Sequence, residues 1–175
     1  MRKKTKVAQF FSDSLSASGN PNEWGPVLWN ILHVLAERCG KTHPMVDTDQ
    51  ARGFEFIIHA LPLVLPCADC SEHARTYIAS RPFHCVGKTG EALSTYVRTW
   101  MMDFHNAVRL RQGKEAEIKT LEELHAHYEG DSISEQDIKV LVNNVTYGVR
   151  MGLVKMDNWK RWTTQFSKLR LFIGV

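Results

Sequence analysis

The chain has 175 residues, 43% of them hydrophobic and 23% charged, with a formal net charge of +3 at pH 7. That length and balance suit one ordinary domain with a sizeable core, and they exclude both a disordered chain and a disulfide-dense miniprotein. The charge is too small to point to nucleic acid, and no run reaches the roughly 18 apolar residues of a membrane span.

Residues 1–22 are rich in Lys, Ser, Asn and Gly without a sustained period, and read as a mobile leader in which Phe10 and Phe11 dock locally. The leader is basic but has no apolar stretch of the secretory type, so residence in the cytoplasm is expected. Four cysteines in that setting point to a catalytic or metal role for at least two of them. The fold is expected to begin near Trp24, with Pro26 in a first helical turn. Val27, Leu28, Ile31, Leu32 and Leu35 then repeat at helical spacing as far as Gly40. Trp29 and His33 share one flank of that helix, a pair that taken alone fits the edge of a core. A second helix is expected over 48–61, capped by Thr48 or Asp47, with Phe54, Ile57, Ile58 and Leu61 facing inward.

Pro62 and Pro66 stop that helix, and a new one opens at Ala68, which puts Cys67 and Cys70 about one turn apart at a helix N-terminus. Exposed N–H groups there stabilise a thiolate, and cysteines at this spacing close a small disulfide ring. Dithiol–disulfide exchange is one reading. A structural zinc held by Cys67, Cys70, His73 and either His84 or Cys85 is another. A thioredoxin-type fold is disfavoured, because no strand-like run precedes the motif.

The third helix ends at Ser80-Arg81-Pro82, and His73 shares a face with Cys70. Leu93, Tyr96, Val97, Trp100, Met101, Phe104 and Val108 make a long amphipathic helix from about Glu91 to Arg111. It carries Trp100 and the pair His105-Asn106, with Arg109, Arg111 and Lys114 following, a mixture suited to a nucleotide. Thr120-x-x-Glu123 caps a short helix ending near Tyr128, and Ser134 caps another with Ile138, Leu141, Val142 and Val145 inward. Beyond Gly148, six cations face one acid, while Trp159, Trp162, Phe166, Leu169 and Ile173 line one face of a final helix. That face could dock on the core, pair with a partner, or lie on an anionic membrane. Truncation after Gly148 is expected to leave cofactor binding largely intact. Asn144-Val145-Thr146 matches a glycosylation sequon, read as an accident.

Trp29-x-x-x-His33, Cys67-x-x-Cys70-x-x-His73 and Trp100-x-x-x-x-His105-Asn106-x-Val108 with Lys114 downstream stand in one order. Together they resemble the Erv/ALR family of FAD-linked sulfhydryl oxidases, most of all its short members from large cytoplasmic DNA viruses of the iridovirus and African swine fever virus type. The resemblance implies an all-α fold: four helices in a bundle plus a short fifth helix cradling FAD, with a helical C-terminal extension. It divides the chain into a leader (1–22), a core (23–130) and an extension (131–175). It implies that Cys67 exchanges disulfides with a protein dithiol, a thioredoxin-like carrier being one candidate, and that Cys70 faces the flavin. Oxygen is then the final acceptor. Trp29, His33, His73, Trp100, His105, Asn106, Val108, Lys114 and Tyr128 would line the cofactor cleft, with no metal, and the chain would form a homodimer in host cytoplasm or a virion. Arg109 and Gln112 stand where the family usually has Asn and Leu. A second shuttle C-x-x-C is absent, as is a structural disulfide after the His-Asn pair, since no cysteine follows Cys85. Cys39 and Cys85 are expected to be free, partly buried thiols.

Overall fold

A computed structural model describes residues 17–175, and among these every regular element is helical. Helix α1 spans Pro21–Arg38, α2 Asp47–Ala60, α3 Ala68–Ser80, α4 Gly90–Arg111, α5 Leu121–Tyr128, α6 Glu135–Arg150 and α7 Met156–Ile173. The expected all-α bundle with a short fifth helix and a helical extension is what forms. The start of α1 differs from expectation. Asn20 caps the helix by accepting from the N–H of Asn22, and Pro21 takes the first position that Pro26 was expected to fill. Of the expected leader, residues 1–16 lie outside the described residues, while Ala17 and Gly19 are buried and the Nε1–H of Trp24 donates to the Gly19 carbonyl.

Helix α1 is central. Ile31 to Glu37 is buried without a break, so this helix meets neighbours on all sides, packing on α4, α5, α6 and α7. Its polar members need partners, and Glu37 finds three: Arg98 Nε at 2.7 Å, His125 Nδ1 at 3.0 Å and Lys41 Nζ at 3.4 Å. Burial alone would raise the Glu37 carboxyl, but hydrogen bonds from His125 and Arg98 and the charges of Arg98 and Lys41 bring it below its ordinary range. This cluster fastens α1 to α4 and α5, since Arg98 Nη2 also donates to the Leu121 carbonyl.

Neither Thr48 nor Asp47 caps α2. A 3-10 turn over Pro44–Val46 leads into the helix without a side-chain cap, and the Asp47 carboxylate instead accepts from the N–H of Gly90 at 2.7 Å. The residue is thereby spent on joining the starts of α2 and α4. Ser134 and Asp137 form the reciprocal cap of α6.

The C-terminal face docks on the chain's own core. Trp159, Trp162, Phe166, Leu169 and Ile173 are all buried, α7 lies along α2, and Gln50 Nε2 donates to the Phe172 carbonyl at 2.9 Å. The Asn144 amide is 3% exposed and accepts from the N–H of Gly19 while donating to the Val140 carbonyl, so the sequon is a packing feature. Among the described residues, no helix is long and apolar enough to cross a membrane.

Candidate redox and cofactor site

Cys67 and Cys70 are joined as a disulfide with 5.2 Å between Cα atoms. Cys67 is the N-cap of α3, and its Sγ accepts from the backbone N–H of Cys70 at 3.2 Å. When the pair is reduced, that N–H and the positive end of the helix favour a thiolate on Cys67. The turn before it is held by Ser71 Oγ, which hydrogen-bonds the Pro62 carbonyl. Arg111 reaches over from α4 and donates to the Asp69 carbonyl, which sets a cation beside the dithiol. Burial, then the Arg111 charge, holds the His73 imidazole below its ordinary pKa.

Both sulfurs open on a cleft of about 330 Å³ whose walls include Leu28, Trp29, His73, Phe104 and Val108. A second cleft of about 310 Å³ is lined by His105, Arg109, Lys114, His127 and Tyr128. Pro21, Gly25, Trp29, Val108 and Gln112 line both, so the two are parts of one trough running between α1 and α4 from the disulfide to a charged end, where Arg109 and Lys114 stand beside Glu117 and Asp131. Gly25 sits at the junction, where an added Cβ would meet nothing within 4 Å among the described residues.

Behind the trough the aromatic groups interlock. Trp29 stacks on His105 with ring centroids 4.2 Å apart, His33 stacks on Tyr128 at 4.6 Å, and His33 Nε2 lies 3.1 Å from His105 Nδ1. His33 is 1% exposed, and its Nδ1 has no hydrogen-bond partner among the described residues. Burial, then the neighbouring His105 and His127, depresses His33 to about 3. Burial, then Arg109 and His127, depresses His105 to about 4. Both are neutral imidazoles at pH 7, able to share one proton between facing nitrogens. Burial, with the charges of Glu117 and Asp131, pushes Tyr128 up to about 12, so it stays a phenol.

A sequence model of the Erv1/Alr family matches residues 26–129. The chain belongs to that family. It is 33% identical over 102 residues to a protein of Invertebrate iridescent virus 6 named as the FAD-linked sulfhydryl oxidase 347L, a span covering 54% of this chain and 84% of the relative. It is 30% identical over 95 residues to 096R of Invertebrate iridescent virus 3, also named as an FAD-linked sulfhydryl oxidase, covering 54% of this chain and 60% of the relative. No solved structure matches it.

Within this Erv1/Alr chain the predicted residues divide into two groups. Cys67, Cys70, Trp29, His73, His105, Val108, Lys114 and Tyr128 line the trough, and His33 backs it through His105 and Tyr128. Trp100 and Asn106 line neither cleft. Trp100 is 8% exposed, donates to the Arg81 carbonyl and meets Phe104 at 5.2 Å, while Asn106 Nδ2 bonds the Ile118 carbonyl. Arg109 ties the loop after α4 to its helix, donating to the Glu115 carbonyl and pairing with Glu117 at 2.7 Å. Sequence reasoning missed Gly25, Phe104 as a wall of the cleft, and His127. The open glycine between Trp24 and Pro26 was the available signal for the first.

The zinc reading of this motif does not assemble. Cys67 and Cys70 are bonded to each other, His84 pairs with Glu55, and Cys85 donates to the Ala51 carbonyl. Cys39 and Cys85 are free and fully buried; burial first, with the Glu55 charge, pushes the Cys85 thiol up to about 12, which keeps it protonated and unreactive.

Proposed function

We propose that the protein is an FAD-dependent thiol oxidase that forms disulfides in a protein dithiol substrate, with a thioredoxin-like carrier among the candidates, and uses oxygen as the final acceptor. The observation that carries this reading is the junction of a disulfide at a helix N-terminus with a long trough walled by Trp29, Phe104 and His105. FAD fits that shape. The unfilled space at Gly25 and the aromatic wall of Trp29 and Phe104 suit a large flat nucleotide. Trp29, His73 and Val108 would border the flavin end; Lys114, Arg109, His127 and Tyr128 would face the phosphates and adenine. Trp100 and Asn106 act from behind, by fixing Phe104 and the loop at Ile118.

In the exchange, a substrate thiolate attacks Cys67 Sγ and the Cys67–Cys70 bond breaks, leaving Cys70 as the thiolate. A second substrate thiolate then attacks the substrate sulfur of the mixed disulfide and releases Cys67, whose negative charge is held by the N–H of Cys70. The substrate leaves oxidised and the Cys67-Cys70 pair is reduced. FAD held beside Trp29, His73 and Val108 would supply the acceptor for that electron pair and the route to oxygen, giving hydrogen peroxide. Residues 23–130 form the catalytic core and 131–175 an extension buttressing it, and the working unit is a pair of chains in the cytoplasm.

Purified protein should show visible flavin absorbance and consume oxygen with a small dithiol. Gly25→Leu should weaken flavin binding by at least roughly tenfold while keeping the helical circular dichroism, because its side chain enters the trough and not the core. Colourless protein that takes up no oxygen with added FAD, or a Gly25→Leu variant that binds flavin like the parent, overturns the reading.

A further inference from the structure

Away from the trough, Glu55 and His59 stand one turn apart on α2, and His84 comes to them from the loop between α3 and α4. One donor atom of each lies within 4.8 Å of the others. We propose that these three side chains form a binding site for a divalent transition metal of the Zn²⁺ class, independent of the redox dithiol.

The hydrogen bonds prepare the donors. His59 Nε2 lies 2.9 Å from the Phe83 carbonyl, and a carbonyl only accepts, so Nε2 carries the proton and Nδ1 holds a free lone pair. A metal-binding imidazole anchored through its other nitrogen on a backbone carbonyl is the usual arrangement around such ions. His84 Nδ1 lies 3.0 Å from Glu55 Oε1, and Glu55 Oε2 accepts from the N–H of Val86, so the carboxylate is already fixed in direction. Bonds of about 2.0–2.1 Å in a tetrahedral site put ligand atoms roughly 3.3 Å apart. The His84–Glu55 pair already has that spacing, with the ion replacing the proton of that hydrogen bond, and a turn of the exposed His59 ring would complete the site.

Two imidazoles and one carboxylate satisfy Zn²⁺ at three positions and leave a fourth open. Glu55 and His59 also line a cavity of about 650 Å³ that contains Arg52 and Arg161. These two cations weaken the site for a bare ion and favour an anion as the fourth ligand. Bound metal would clasp the 81–89 loop to α2. That loop includes Phe83 and Cys85 of the core and the Arg81 carbonyl that receives Trp100.

The test uses flavin-loaded, full-length protein with the Cys67–Cys70 disulfide closed, so that no dithiol competes. Equilibrium dialysis against micromolar Zn²⁺ should find one ion per chain, and Zn²⁺ should raise the melting temperature. His84→Ala, which removes a 70% exposed side chain and so leaves the fold intact, should weaken binding by roughly tenfold or more and abolish the thermal shift. Glu55→Gln and His59→Ala should behave alike, whereas Cys67→Ser should bind zinc as the parent does. No zinc retained by the parent, equal binding by His84→Ala, or loss of binding in Cys67→Ser would each refute the assignment.

Discussion

Replacing Trp162 by Ala should be among the most damaging single changes available outside the site. The side chain is 1% exposed and lies between Trp159 and Phe166 in a stack with centroids 5.6 and 5.0 Å apart. Its Nε1–H donates to the Ile57 carbonyl at 3.1 Å. That carbonyl needs it, because the N–H of Leu61, its partner in a regular helix, has turned to Ile58 where α2 tightens ahead of Pro62. Truncating a buried Trp costs about 3–5 kcal/mol, and an orphaned buried carbonyl adds about 1–3 kcal/mol. Taking the low end of that sum, about 4 kcal/mol, and roughly 2–4 °C per kcal/mol for a domain of this size, the melting temperature should fall by at least about 8–16 °C. Trp162→Phe, which keeps a ring but loses the donor, should cost only about 1–3 kcal/mol. Thermal unfolding by circular dichroism, with flavin fluorescence read in parallel, measures both variants. A fall below about 4 °C for Trp162→Ala, or equal losses in the two, would refute the argument that α7 is core and that its indole caps α2. The same packing revises the expectation for truncation after Gly148. Five buried apolar side chains at about 1.5–3 kcal/mol each rival the whole stability of a domain, so the truncated chain should fail to hold its fold or its cofactor.

Cys67→Ser and Cys70→Ser should each abolish dithiol oxidation and retain flavin; Cys67→Ser alone should show a long-wavelength charge-transfer band, and a band only in Cys70→Ser means that the two roles are reversed. His33 and His105 are depressed chiefly by burial, to about 3 and about 4, so their contribution to stability is whole above the unfolded value near 6.5 and is lost as pH falls through the window below it. His33 alone should cost about 2 kcal/mol at pH 5, and a denaturant midpoint that stays flat between about pH 7 and 5 contradicts this. An Ala at Gly148 would place its Cβ 2.8 Å from Pro66 Cβ, beside Cys67; a loss of about 1–3 kcal/mol with slower dithiol turnover is expected, and wild-type behaviour in chemical denaturation and oxygen uptake would show that the contact relaxes freely.

What the sequence determined by itself was local. Helical periodicity and the stops at Gly40, Pro62, Pro66 and Pro82 placed the helices to within a few residues, because these signals act through neighbouring turns of the same chain. The position of Cys67 and Cys70 at a helix start was legible for the same reason, and three ordered motifs were enough to recognise the family. Asn20 and Asp47 mark where local reading failed. Both are ordinary cap residues, and only the fold shows that the first caps α1 while the second is drawn to Gly90 at the head of another helix. Tertiary structure alone decided that His33 meets His105 across 72 residues, that Arg98 and His125 hydrogen-bond Glu37, that α7 lies on α2, and that His84 joins Glu55 and His59. Each depends on which helix faces meet, and an amphipathic stripe states that a face must be covered without naming what covers it.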